Sequence, residues 1–206
     1  MSLHDFIENE ILPLYDNFDA GHQRDHARYV MAQSQQLAQF YPEVDRDMLL
    51  VAAAYHDVGM CQGRKFHHVA SARIIRDDSR LLQWFTPEQI EIIADAAEDH
   101  RASSTNAPRT IYGRIIAESD RQIIADVIVR RTIQYTQTYF PDLNEQEQYQ
   151  RFIDHMNEKY AYGGYLKLWI PESPNAQRLD DFRRIIADPV AIKQKYDDIY
   201  AQVVAK

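Results

Sequence analysis

Seven consecutive apolar residues, Met48 to Ala54, run into Tyr55, His56 and Asp57, and the chain then turns at Gly59. A helix with apolar side chains on every face has no side to give to water, so it must lie inside a bundle of other helices. This one stretch therefore constrains the fold more than any other. It also carries an imidazole and a carboxylate, side by side, toward the interior. A buried ionised carboxylate is costly unless it is paired or bound to a metal.

The rest of the chain agrees with a helical bundle. Only 6 Gly and 8 Pro occur in 206 residues, and apolar residues recur mostly at helical spacing. Ser2 with Asp5 caps a first helix over roughly 3–18, disturbed at Pro13. A second helix is predicted over about 22–40, ending before Pro42, and a third over about 45–58. "CQGRKF" reads as a loop, and a fourth helix starts near His67 with Ala70, Ile74 and Ile75 on one face. Thr86, Pro87 and Gln89 open a fifth, which reaches about His100. After a loop over 101–110, one long helix is predicted from about Arg109 to Tyr139. Asn144 with Glu147 caps the next, toward Tyr160. "YAYGGYLKLWIPESPN" is irregular, and two last helices fit 175–187 and 189–204, with Asp188 as cap and Pro189 as first residue. The expectation is an all-α single domain over 1–206 without repeats or linkers.

Composition narrows the class of function. A hydrophobic share of 45% supports a sizeable core. The net charge of −8 argues against a general binder of nucleic acid or of anionic membranes. It leaves room for a small phosphorylated ligand in a local pocket. Cys61 is the one cysteine, so no internal disulfide is expected. "MSLHDFIENE" lacks the basic and apolar regions of a signal peptide, and no apolar run approaches membrane-spanning length. The expected location is the cytoplasm, and an oligomer is left open.

Six of the eight histidines fall between positions 22 and 100: His22, His26, His56, His67, His68 and His100. His22 and His26 are four apart and share a helix face. Imidazole with carboxylate suits Zn, Mn, Fe or Ni better than Ca or Mg. In "GRIIAESDRQIIADVIV", Asp120 lies one turn from Ile116 and Ile124, which turns it toward the apolar side. Glu118 and Arg121 suit the solvated face. Structural alternatives stand beside each reading. Asp57 could cap a neighbouring helix, His56 could bond a carbonyl, and Asp120 could pair with an arginine.

The order His26, then His56-Asp57, then Asp120 resembles the H…HD…D pattern of the HD-domain superfamily of metal-dependent phosphohydrolases. "GHQRDHARYV", "LLVAAAYHDVGM" and "RIIAESDRQ" resemble the family's segments in local context, and the likeness covers about residues 15–130. It implies an HD-type helical core there, with a helical C-terminal part over about 140–206. "FHHVASA" places His67 four residues before a small pair, and "AAEDH" ends on His100, both as in two-metal relatives. The spacing favours His67 over His68. The resemblance thus implies His26, His56, Asp57, His67, His100 and Asp120 as ligands to one or two divalent transition-metal ions (Fe, Mn, Zn, Ni or Co), with Asp57 bridging.

The implied function is hydrolysis of a small phosphorylated molecule, a nucleotide among the candidates, by metal-activated hydroxide. Besides Asp57, the candidate catalytic and substrate-binding groups are His22, Arg64, Lys65 and Arg121, with Arg101 nearby. The chain departs from the family pattern at Gln23, where Asp is common, and after Gly59, where many relatives carry Lys. Arg64 or Lys65 could replace that charge. Two rivals use the same ligand set: a di-iron oxygenase of HD type and a non-catalytic helical metal-binding domain. Cys61 reads as a small loop thiol. Tyr160, Tyr162, Tyr165 and Trp169 read as packed core or as a lid.

Overall fold

A computed structural model describes every residue except Ala20 and Lys206. No strand occurs among the described residues, and ten α-helices carry the fold. They divide between two compact units: Met1–Arg121 with Leu168–Ser173, and Gln122–Lys167 with Pro174–Lys206.

The first unit holds α1 (Leu3–Phe6), α2 (Arg24–Leu37), α3 (Arg46–Tyr55), α4 (His67–Asp77), α5 (Pro87–Glu98) and α6 (Ile111–Asp120). Helix α3 is the apolar helix of the opening stretch. Asp45 starts it by accepting from Asp47 N at 2.9 Å and Met48 N at 3.1 Å. It packs against α2, α5 and α6, and every side chain from Val51 to Tyr55 is fully buried. The capping boxes of Ser2 with Asp5 and Thr86 with Gln89 are formed. The 160–174 stretch is non-helical, and its residues 168–173 belong to this first unit.

The second unit holds α7 (Ala125–Tyr139), α8 (Glu145–Lys159), α9 (Asn175–Ala187) and α10 (Pro189–Val204). Asn144 and Glu147 form the capping box of α8. Asp188 caps α10 through Val190 N at 2.9 Å and Ala191 N at 3.1 Å. Phe152, Phe182 and Tyr196 are buried in this unit.

Three expectations need correction. The long helix over 109–139 is two helices. The chain leaves helical geometry at Arg121 (ψ 68°) and is extended at Ile124 (φ −126°, ψ 113°) before α7 begins. No Gly or Pro marks that break, so periodicity ran straight across it. The register argument that placed Asp120 one turn from Ile124 therefore fails, although Asp120 still turns inward. Glu118 and Arg121 are not solvated: their exposures are 0% and 6%. Helix α6 is covered by α2, α3 and α5, and both charges meet polar partners instead of water. Last, the first helix is only four residues long. It continues as a π turn over Ile7–Ile11 and a 3-10 turn over Leu12–Asn17. Pro13 lacks an N–H and crowds the carbonyl four residues back, so the α ladder widens ahead of it. No helix among the described residues is long and apolar enough to cross a membrane.

Candidate metal centre

Six predicted residues converge within the first unit, and each comes from a helix end or its edge. His26 sits in the first turn of α2, and His56 and Asp57 follow the last residue of α3. His67 opens α4, His100 lies just beyond α5, and Asp120 is the last residue of α6.

Asp57 divides them into two groups. Its Oδ2 is 3.2 Å from His56 Nε2 and 3.7 Å from His26 Nε2. Its Oδ1 is 3.3 Å from His67 Nε2 and 3.4 Å from His100 Nε2. Asp120 Oδ1 joins the first group, 3.1 Å from His26 Nε2 and 3.9 Å from His56 Nε2. In each of the sets His26–His56–Asp57 and Asp57–His67–His100, potential ligand atoms lie within 4.8 Å of one another, as a metal ion requires.

The ring orientations have a common cause. His56 Nδ1 lies 2.7 Å from Ala53 O, His67 Nδ1 lies 2.7 Å from Arg64 O, and His100 Nδ1 bonds Ala97 O. A carbonyl only accepts, so each Nδ1 carries a proton, and each ring, when neutral, offers its Nε2 lone pair to the centre. Carbonyls in this role are the usual outer support of metal-ligating histidines. Two of those lone pairs, on His67 and His100, face each other across a short gap. His67 Nε2 is 3.0 Å from His100 Nε2, and His56 Nε2 is 3.4 Å from His26 Nε2. Facing lone pairs repel unless a proton or a cation stands between them. Asp57 Oδ1 is buried and has no hydrogen-bond partner among the described residues. Donor type, spacing and this orphaned oxygen all fit divalent transition ions.

The electrostatics agree. Burial pushes the Asp57 carboxyl up, but His56 and His100 outweigh it and hold the group well below the usual carboxylate range. Asp120 behaves alike, with His26 as its main partner. Burial disfavours the charged form of His56, yet Asp57 and then Asp120 raise it to about 9. Burial and the neighbouring His100 push His67 down to about 4. A cation and the His56 proton compete for one lone pair. Solvent reaches the centre past Asp120 and His67, whose side chains are 22% and 13% exposed.

The remaining candidates fall around this centre. His22 is buried, its Nδ1 is 2.7 Å from Asp19 Oδ1, and its ring meets that of His26 edge-on at 6.1 Å. Arg64 reaches Asp19 Oδ2 at 3.2 Å. Exposed Lys65 lies over the Phe66 ring. Arg121 donates to His100 O at 2.8 Å and is 3.5 Å from Asp120 Oδ2, which braces two residues of the centre. The expected alternatives of a carbonyl bond at His56 and an arginine at Asp120 thus exist alongside the cluster. His68 meets Arg101 instead, with its Nδ1 3.3 Å from Arg101 Nη1. Cys61 and Tyr162 are exposed, whereas Tyr160 is buried. Sequence reasoning missed Asp19, Tyr15 and Ser71. Tyr15 bonds the end of α3, and Ser71 Oγ accepts from Gly59 N at 2.9 Å. Asp19, three residues before His22, was the one with a readable signal.

The family model of the HD domain matches residues 24–122. That span holds all six converging residues and excludes Tyr15 and His22. Among solved structures, the chain is similar to a "predicted HD superfamily hydrolase" from an uncultured Thermotogales bacterium. The identity is 21% and the TM-score 0.50, over 75% of this chain and 90% of the other. A search of curated proteins found no match.

Proposed function

With residues 24–122 forming an HD domain, the domain of a superfamily of metal-dependent phosphohydrolases, we propose that the protein hydrolyses a phosphate ester of a small molecule, with nucleotides as the first class to try. The reaction uses two divalent ions drawn from Fe, Mn, Zn, Ni and Co. One would be held by His26, His56, Asp57 and Asp120, the other by Asp57, His67 and His100. The observation that carries this reading is the division of Asp57, whose two oxygens face two separate imidazole groups. When bound, such ions supply Lewis acidity toward a phosphoryl oxygen and an activated water near neutral pH.

The chain's own residues do the rest. Ala53, Arg64 and Ala97 carbonyls hold three rings so that each Nε2 points inward. Asp120 and His67, at the exposed side, set where the substrate approaches. Arg64 and Lys65 offer positive charge to the phosphate. His22, oriented by Asp19, moves a proton at the leaving oxygen. Arg121 positions His100 and Asp120.

Metal analysis of protein purified without chelator, paired with a phosphate-release panel of nucleotides and sugar phosphates, tests this. The expected result is two metal equivalents per chain at saturation, with release from at least one phosphate ester. His100→Ala should keep one equivalent and lose most of the turnover. A single equivalent in the wild type rules out the pair. Oxygen uptake without phosphate release would assign the centre to di-iron oxygenase chemistry, and bound metal with neither activity to a binding domain.

A further inference from the structure

At the end of α3, one local and one distant side chain occupy the carbonyls that a further helical turn would use. In a continued helix, Ala53 O and Ala54 O would accept from the amides of residues 57 and 58. Here Ala53 O is occupied by His56 Nδ1, and Ala54 O accepts from the Tyr15 hydroxyl at 2.8 Å. The same hydroxyl accepts from Asp57 N at 3.3 Å. A phenol can donate once and still accept, so one oxygen serves a carbonyl and an amide together. Asp57 is left at φ −111°, ψ 3°, outside helical geometry, whereas His56 before it is still helical at φ −52°, ψ −35°. Tyr15 itself is fully buried, packs edge-on against Phe18 with ring centroids 5.4 Å apart, and lies 6.5 Å from the His56 ring. It belongs to the 3-10 turn Leu12–Asn17, ahead of the span that the HD family model matches.

We infer that Tyr15 is a positioning residue: its hydroxyl stops α3 and fixes the Asp57 backbone so that one carboxylate oxygen faces each half of the centre. Without that bond, Asp57 is free to continue the helical turn, and its side chain would swing away from one imidazole group. The inference rests on the metal-binding reading above. Support at one remove from a ligand matters on the order of 10- to 100-fold in metal affinity.

Tyr15→Phe keeps the ring and removes only the hydroxyl. The control is Tyr55→Phe. Tyr55 is also fully buried, but its hydroxyl donates to Asp78 at 2.6 Å, away from the turn. Titration of the metal-free proteins with Mn²⁺ by calorimetry should show affinity reduced about 10-fold or more in Tyr15→Phe. Tyr55→Phe should match the wild type in affinity even where its melting temperature falls. Unchanged affinity in Tyr15→Phe, or equal losses in both variants, overturns the inference while leaving the metal centre standing. A wild type that binds none of Mn²⁺, Fe²⁺, Co²⁺, Ni²⁺ and Zn²⁺ overturns the metal centre itself, and the inference with it. Amide hydrogen exchange on the wild type gives a readout that needs no variant. Mn²⁺ should slow exchange at the Asp57 amide, because clamp and ligand share that peptide unit. An Asp57 exchange rate unmoved by saturating Mn²⁺ overturns the clamp.

Discussion

A histidine is well placed to offer one nitrogen to a metal when something holds the other, and at His56, His67 and His100 carbonyls three residues back do so. The three rings nevertheless sit in different fields. His56, between Asp57 and Asp120, is held up at about 9, and His67 is pushed down to about 4. The sign of the pH dependence follows. His67 is already neutral at pH 6 to 8 and adds no slope, whereas His56 must release a proton to bind metal. Metal affinity should rise about tenfold per pH unit up to roughly pH 9 and level off above it. Mn²⁺ titrations between pH 6 and 9 check this, and a flat profile contradicts it. In the metal-free protein the same shift works in reverse. The folded pKa lies above the ordinary 6.5, so the stabilisation is complete below 6.5 and is lost as pH rises through about 9.

At the scale of elements, the centre depends on how closely the turn after α3 approaches the start of α4. Gly59 is buried there, and a Cβ on it would lie 2.1 Å from His67 O and 2.5 Å from Ser71 N. Both neighbours are backbone, so neither can rotate out of the way. Gly59→Ala must push α4 outward, and His67 moves with it. The expected cost is about 2–3 kcal/mol, read from the denaturant midpoint, together with loss of metal from the His67–His100 group. A midpoint within about 0.5 kcal/mol of the wild type would show that the turn yields more easily than this contact implies. Helix ends also explain why these histidines gather where they do. Within a helix the carbonyls are taken by amides four residues on, whereas beside its ends they remain available to imidazoles.

For the whole molecule, the six converging residues lie in one compact unit and none in the other. Metal binding should therefore stabilise the first unit selectively. At a free metal concentration 100 times its dissociation constant, one site contributes about 2.7 kcal/mol. Chelation should lower the unfolding midpoint and speed hydrogen exchange in α2 to α6, with little change in α7 to α10. Equal acceleration in both units would contradict a centre confined to the first. His155, in α8, is the matching control, and His155→Ala should leave the metal content unchanged.

What the sequence alone determined is local or patterned. The caps at Ser2, Thr86, Asn144 and Asp188 are bonds between residues two or three apart, so composition and spacing predict them. The HD pattern likewise stands in the order of residues: it named His26, His56, Asp57 and Asp120, and the two segments like those of two-metal relatives added His67 and His100. The tertiary structure decided what depends on distant partners. The break after Asp120 has no Gly or Pro to announce it, and Arg121 turns inward to a carbonyl 21 residues away. Glu118 is buried against the backbone of Trp169, 51 residues on. The Tyr15 clamp reaches across 39 residues to Ala54. Periodicity tells which face of a helix is apolar, but the partner that a buried polar group finds is set only when the helices pack, because an unpaired polar group there is costly and any donor within reach will serve.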